Sequence, residues 1–220
     1  MSKYVTPPNL PSAFEGVVDP NGGFLCVSSR WRPDPEADDP EWPGHKLSMS
    51  SYIPVLPREA CLCGSGRRYG DCCQPKRFWY PICPNPGMEG YSLTAPQSAT
   101  FGDVDVAAIR RRLMADPRFR CTGDSRASAF WIYHGDPVVE DQHGLLYFGD
   151  LELKDDLSLL VTAMSDLRMQ TLLAVLQEVA GELLDEPRRS RDSNLVIDKR
   201  TGKMRTVEGA KPRSRRRRKR

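Results

Sequence analysis

Apolar residues at helical spacing predict two helices in the C-terminal half of the chain. The first helix covers residues 103–116, where acidic residues open the segment and Pro117 ends it. The second helix follows Ser165, a residue type that favours the N-cap position, and ends before Pro187. The apolar positions are Val106, Ile109, Leu113 and Met114 in the first helix, and Leu172, Leu173, Leu176, Val179, Ala180, Leu183 and Leu184 in the second.

Three apolar segments between these helices predict strands, at residues 130–134, 144–153 and 157–163. The last of them alternates apolar and polar residues, so one of its faces is expected to be buried. A polar turn, Lys154-Asp-Asp, separates the last two strands and predicts a hairpin. The simplest packing places both helices on one face of a three-stranded antiparallel sheet. This predicts a small α+β domain over residues 103–186.

The segments on the N-terminal side of this domain are rich in proline. Residues 1–60 hold ten of the 19 prolines, which disfavours helices and central strands. We predict an extended arm with one short strand at residues 23–28, and a disordered leader is an equally favoured alternative. Residues 81–102 contain further proline turns and are predicted to be a linker. The side chains expected to anchor the arm are Phe24, Trp31, Trp42, Tyr52 and Ile53.

The net charge of +3 hides an uneven distribution. Residues 81–187 carry 8 basic and 17 acidic side chains, whereas residues 188–220 carry 15 basic and 3 acidic ones. We therefore predict an acidic body and a disordered basic tail, residues 187–220, that binds phosphate backbones without reading sequence. The alternative is a solubilising end that pairs loosely with the body. The residues proposed for this contact are Arg215, Arg216, Arg217 and Arg218.

The sequence lacks two features that would indicate a membrane or secreted location. No run of apolar residues reaches the length of a transmembrane helix, so no membrane insertion is expected. The first residues lack the apolar stretch of a secretory signal. We therefore expect a cytoplasmic, reducing location. Seven cysteines in such a location need a role other than disulfide formation.

Four of the cysteines lie close together in a basic segment, residues 61–80. Cys61 and Cys63 point to the same side of an extended strand. Glycines after them permit a sharp reversal of the backbone, and one helical turn can return the chain to Cys72 and Cys73. Four thiolates suit zinc in a closed, structural site, and iron could replace zinc during expression. A redox pair would leave two of the four cysteines without a role.

This segment resembles the SEC-C motif, a short zinc-binding module at the C-terminus of the SecA translocation ATPase and in other bacterial proteins. The motif reads C-x-C-G-S-G-x-x-Y, followed by C and then H or C. Leu62 and Gly70 depart from the commonest residues, but neither is a ligand. The matching residues are Cys61, Cys63, Gly64, Ser65, Gly66, Tyr69, Cys72 and Cys73, with Arg67 and Arg68 where the family usually has lysines.

The resemblance implies a docking role, because in SecA the module contacts the SecB chaperone and the ribosome. Here four cations alternate with four aromatic residues, a composition that could stack on bases or grip an acidic surface. The alternatives are that the module staples a proline-rich region or packs against its own acidic domain. The residues in question are Arg67, Arg68, Lys76 and Arg77 together with Tyr69, Phe78, Trp79 and Tyr80.

The remaining reactive side chains give no positive sign of catalysis. Cys26, Cys83 and Cys121 are expected to be buried small hydrophobes. His134 and His143 lie beside acidic residues, but in ordinary turn sequences. The chain lacks a nucleotide-binding loop and the common hydrolase and metalloprotease motifs.

The function predicted from the sequence is a non-enzymatic zinc adaptor that docks to a protein, a ribosome or a nucleic acid. The contacts would be made by the cysteine segment and the basic tail. The alternative is an enzyme of unrecognised type in residues 103–186, with the zinc module as an accessory. A protein partner without nucleic acid is a third possibility.

Overall fold

The computed structural model describes residues 22–39, 41–192, 194–200 and 204–207 of the chain. The described residues form three sheets and two helices, so the protein is α+β, as predicted. No helix in these ranges is long and apolar enough to cross a membrane.

The first sheet is built around a long hairpin at the N-terminal end of the described chain. Its two strands pair over eleven residues each, from Gly23 opposite Pro54 to Pro33 opposite Gly44. The strand order is β5-β4-β1-β10-β9, with β2 on the other side of β1. The strands are β1 (Gly23–Pro33), β2 (Gly44–Pro54), β4 (Ile82–Pro84), β5 (Tyr91–Leu93), β9 (Glu140–Asp141) and β10 (Gly144–Tyr147).

This hairpin replaces the extended arm predicted for the described part of residues 1–60. The strand prolines, Pro33 and Pro54, lie at strand ends, where a missing N–H costs no ladder hydrogen bond. Other prolines of the region fall in the connection between β1 and β2. Phe24, Leu25 and Cys26 are buried in succession, so β1 is covered on both faces. It therefore lacks the alternation of apolar and polar residues that predicts a strand with one buried face. Residues 1–21 lie outside the described ranges.

The second sheet is antiparallel and six-stranded, in the order β13-β6-β12-β11-β8-β7. It contains the strands predicted at residues 130–134 and 157–163 and the second part of the one predicted at 144–153, and three further strands extend it beyond the predicted three-stranded sheet. Two of these, β6 and β13, lie outside residues 103–186. The strands are β6 (Gln97–Phe101), β7 (Phe119–Asp124), β8 (Ser128–Tyr133), β11 (Gly149–Lys154), β12 (Leu159–Ala163) and β13 (Arg188–Arg191).

Both helices pack into the core of this second sheet. Helix α1 (Val106–Ala115) is capped by Asp105, whose carboxylate accepts a hydrogen bond from the Ala108 N–H at 2.9 Å. Helix α2 (Asp166–Ala180) is capped in the same way by Ser165. The stripe residues Ile109 and Leu113 of α1 and Leu172 and Leu176 of α2 are fully buried, whereas Met114 is exposed.

Two details of the predicted strands are corrected by the structure. Residues 144–153 do not form one strand: β10 joins the first sheet and β11 the second, with Phe148 between them. Leu157 is not a strand residue but lies in the turn, with a positive φ of 61° and an exposed side chain. The chain therefore crosses from the first sheet to the second within residues 144–154.

The segments predicted as linker and tail also contribute strands. Residues 81–102 supply β4, β5 and β6. Within residues 187–220, β13 pairs with β6, and β14 is the central strand of a third sheet, β15-β14-β3. Val196 and Ile197 of β14 are fully buried, which provides the burial that the sequence did not suggest. The strands of the third sheet are β3 (Phe78–Trp79), β14 (Asn194–Asp198) and β15 (Met204–Val207).

Candidate metal centre

The first two cysteines of the centre lie on a tight reversal of the backbone after β2. The Cys61 N–H donates to the carbonyl of Arg67 at 2.8 Å, and Ala60 forms an isolated bridge with Arg68. The turn between them needs the left-handed conformation twice, at Gly64 with a φ of 76° and at Gly66 with a φ of 71°. These hydrogen bonds hold Cys61 and Cys63 on the inner side of the turn.

The second pair of cysteines follows a single 3₁₀ turn, Tyr69–Asp71. The sequence favours a helical turn at residues 67–69, and the observed turn lies two residues later. The carbonyl of Tyr69 accepts hydrogen bonds from the N–H groups of Cys72 and Gln74, at 3.0 and 3.1 Å. The turn directs Cys72 and Cys73 towards the first two cysteines.

The four sulfur atoms lie within 4.8 Å of one another, which confirms the predicted grouping. The Sγ atoms of Cys63 and Cys72 are 3.5 Å apart, and those of Cys72 and Cys73 are 3.8 Å apart. Four sulfurs bound to one zinc ion at about 2.3 Å would lie about 3.8 Å apart at the corners of a tetrahedron. The cluster therefore fits a metal ion with all four positions filled by protein.

The surroundings of the cluster shift the pKa values of its thiols in different directions. The Ser65 hydroxyl, 3.1 Å from the sulfur of Cys72, lowers the pKa of that thiol to about 6. The Arg67 guanidinium also lies 3.4 Å from this sulfur. Burial raises the pKa of the Cys61 and Cys73 thiols instead. Cys72 therefore ionises more readily than Cys61 and Cys73, from which a metal ion must displace protons.

The comparison with protein families agrees with this geometry. Residues 58–75 match the family model described as SEC-C motif. The chain carries a SEC-C motif. Searches of curated proteins and of solved structures found no match. The matched residues include all four cysteines of the cluster.

Tyr69 of the SEC-C motif holds the motif against the first sheet. The side chain is fully buried and packs on Phe24, with ring centroids 5.5 Å apart. Its hydroxyl accepts a hydrogen bond from the Gly23 N–H at 2.8 Å and donates to the Gly23 carbonyl at 3.3 Å. The cysteines share one apolar cluster with Phe24, Cys26, Val55 and Ile82. The prediction that Tyr69 is part of an exposed docking surface is therefore wrong.

The third sheet contacts the SEC-C motif through residues that lie far from it in the sequence, towards the C-terminus. Ile197 and Asp198 of β14 pair with Trp79 and Phe78 of β3. Next to them, Lys199 Nζ donates to the carbonyls of Cys73 and Gln74, at 3.0 and 2.9 Å. The contact made by Lys199 was not predicted from the sequence. The apolar run that precedes it was the available signal, but nothing in the sequence tied that run to the cysteines.

The other predicted docking residues have different environments. Arg67 and Arg68 are exposed. Arg77 forms an ion pair of 2.8 Å with the fully buried Asp198 and lies over the Phe78 ring, so it stabilises the third sheet. Trp79 is buried. Lys76 lies over the Tyr80 ring at 5.3 Å. The cations and aromatic side chains predicted to form a docking surface therefore largely make contacts within the molecule. Arg215, Arg216, Arg217 and Arg218 lie outside the described ranges.

The remaining candidate side chains do not assemble into a second metal site. Cys83 is fully buried, and Cys26 is buried with a pKa raised to about 11 by its burial. His134 is buried, and its Nδ1 lies 3.0 Å from the Gly135 carbonyl. His143 is exposed beside Gln142. In the part of the chain that the structure describes, no other histidine, cysteine, aspartate or glutamate group has metal-binding geometry.

Proposed function

We propose that the metal held by Cys61, Cys63, Cys72 and Cys73 is zinc and that its role is structural. Four thiolates form the ligand set that structural zinc prefers, and they leave no position for substrate or water. The centre joins a cluster from the N-terminal hairpin and is contacted by Lys199 near the C-terminus. Zinc would thus fasten together segments that are far apart in the sequence. Cysteines persist as thiols in a reducing compartment, so this role is consistent with the cytoplasmic location expected from the sequence.

The proposed activity is docking to RNA or to a ribosome, with a protein partner as the alternative. Two kinds of basic group support it. Arg67, Arg68 and Lys76 are exposed on and next to the SEC-C motif, and residues 213–220 carry seven positive charges. The body over residues 81–187 is acidic and would repel a polyanion. Contacts of this kind would be with phosphates and would tolerate any sequence.

The metal assignment is tested by replacing two ligands at once. The Cys72→Ser, Cys73→Ser protein should lose the metal that the purified wild type carries at about one equivalent. Elemental analysis under reducing conditions measures this. Cys121→Ser is the matched control, because Cys121 lies outside the cluster and should leave the metal content unchanged. Full metal retention in the double variant contradicts the assignment.

The docking proposal is tested with labelled RNA at two salt concentrations. The full-length protein is compared with a shortened chain that ends at Val207 and so lacks the basic tail. This end point keeps β13 and β14, which pair with strands of two sheets. Full-length protein should bind RNA and lose roughly a hundredfold in affinity between about 50 and 200 mM salt, since phosphate contacts by five or more arginines release counterions. The shortened chain should lose this salt-sensitive component.

Matched variants show whether the tail contributes to RNA binding through its positive charge or in another way. Replacing Arg215, Arg216, Arg217 and Arg218 by lysine should preserve binding, whereas replacing them by serine should reduce it as truncation does. Arg67→Ala with Arg68→Ala should weaken the residual binding of the shortened chain. Equal binding by the full-length and shortened proteins, or no binding at low salt, rejects the RNA proposal and favours the protein partner.

A further inference from the structure

Arg168, in the first turn of α2, is a buried cation that forms no ion pair with any residue that the structure describes. Its side chain is 1 % exposed. Nε and Nη2 both donate to the carbonyl of Pro84, at 2.8 and 2.6 Å, and the guanidinium lies over the Phe148 ring at 5.1 Å. Among the described residues, no carboxylate pairs with Arg168, and its Nη1 has no hydrogen-bond partner.

Such an arrangement is costly for a structural arginine. Buried charges in proteins are paired or bind an ion, because removing an unpaired charge from water is unfavourable. A carbonyl oxygen and a ring face provide only partial negative charge. Burial accordingly lowers the pKa of Arg168, although guanidinium groups in proteins remain protonated. An anion from outside the chain would supply the missing charge.

Arg168 lines a cavity of about 290 Å³ where the first and second sheets meet. Segments from β1, β6 and the junction of β10 with β11 form its wall, so the cavity exists only in the folded chain. Its lining combines apolar and hydroxyl-bearing side chains. The residues that matter here are Val27, Ser29, Ser98, Tyr147, Phe148 and Met164.

None of the other charged groups that line the cavity forms an ion pair with Arg168. Lys46 and Asp150 form an ion pair of 2.8 Å, so their charges offset each other. Asp192 is exposed and makes no ion pair with Arg168. The buried hydroxyl of Tyr147 borders the cavity and makes no hydrogen bond of standard geometry, although Asp150 and Ser29 lie near it.

We propose that this cavity binds a small organic monocarboxylate, with its carboxylate group at Arg168 and its apolar part against Val27 and Phe148. A single negative charge matches the single unpaired guanidinium. A phosphate dianion would leave an excess negative charge in a buried site. The volume lies at the lower end of the range for ligand pockets, which excludes nucleotides and favours a ligand the size of a benzoate.

The test uses sodium benzoate as the probe and the full-length protein labelled with ¹⁵N. Benzoate should cause a saturable shift of the Arg168 Nε–H resonance at constant ionic strength. Benzamide, its neutral analogue, should cause none. Inorganic phosphate should bind at least tenfold more weakly than benzoate. No shift with benzoate, an equal shift with benzamide, or equal binding of phosphate overturns the proposal.

Variants connect the binding to this cavity. Arg168→Met should abolish the response of backbone amides near the cavity to benzoate, whereas Arg111→Met, an exposed arginine of α1, should bind as the wild type does. If Arg168→Met fails to fold, Ser98→Phe gives an independent result. That variant keeps Arg168 but fills the cavity with a ring, so it should lose benzoate binding. Wild-type affinity in either folded cavity variant contradicts the proposal.

Discussion

The Ser65 hydroxyl is the nearest polar group to Cys72 Sγ in the metal centre, at 3.1 Å. Because this contact lowers the pKa of Cys72 to about 6, the thiol is already ionised at pH 7 and a metal displaces no proton from it. Ser65→Ala should move this pKa back towards its ordinary value. Metal affinity at pH 7 should then fall about tenfold, the equivalent of one hydrogen bond to a charged group.

Competition with a chromophoric chelator at several pH values measures this effect. The loss should shrink as the pH rises towards 9, because Cys72 then ionises without help. Ser92→Ala is the matched control, since Ser92 donates to Asn85 and is not part of the cluster. A loss of affinity with no pH dependence would show that Ser65 acts by some route other than the Cys72 thiolate.

Tyr69 ties the SEC-C motif to β1 through the backbone of Gly23. Tyr69→Phe keeps the ring packing on Phe24 but removes both hydrogen bonds. The free energy of unfolding should fall by about 1–3 kcal/mol, because the buried Gly23 N–H loses its acceptor. Urea unfolding measures it. Tyr80→Phe, which removes a hydroxyl from a half-buried tyrosine, should change stability much less. Equal effects of the two variants would contradict the role given to the Gly23 contact.

At the scale of elements, the approach of α2 to the second sheet depends on Gly149 of β11. A Cβ at this position would lie 2.5 Å from Leu172 Cδ2 and 3.0 Å from the Thr162 carbonyl oxygen. Leu172 is fully buried and cannot move aside freely. Gly149→Ala should therefore destabilise the protein by about 1–3 kcal/mol, as expected for overpacking.

Gly102 offers a matched control for this substitution. A Cβ there meets no atom within 4 Å, so Gly102→Ala should leave stability nearly unchanged or raise it slightly through the unfolded state. Thermal or urea unfolding of the two variants gives the comparison. If Gly149→Ala were as stable as Gly102→Ala, the contact between α2 and β11 would be looser than described.

At the scale of the whole molecule, two separate cores predict two responses to metal removal. The core of the second sheet contains no residue of the SEC-C motif, whereas the cysteines belong to a cluster with Phe24 and Ile82. Structural zinc contributes on the order of 10 kcal/mol to modules of this kind. A chelator should therefore unfold residues 58–75 and loosen the start of β1, while β12 and α2 keep their structure.

Hydrogen exchange read by mass spectrometry can follow both regions at once. Peptides covering residues 58–75 should lose protection on chelation, and peptides from β12 and α2 should retain it. Adding the chelator already saturated with zinc is the control and should change neither. Equal loss of protection in both regions would mean that the metal centre and the second sheet unfold as one unit.

The sequence by itself determined the metal centre and the two helices. All four ligands lie within thirteen consecutive residues, and Gly64 and Gly66 set the local backbone that joins them. The signals that predict the helices were likewise local, since the cap and the apolar stripe of each helix lie within one segment. Local interactions leave a pattern along the chain that can be recognised without knowledge of distant contacts.

Only the tertiary structure decided the partners of the proline-rich and basic segments. Strand β14 is stabilised by pairing with β3, and Lys199 reaches a carbonyl 126 positions away at Cys73. The environment of Arg168 depends in the same way on Pro84, which is 84 positions distant. A short apolar run gains little from burial until the chain supplies the surface that covers it. That surface is assembled from distant segments, so no local pattern records it.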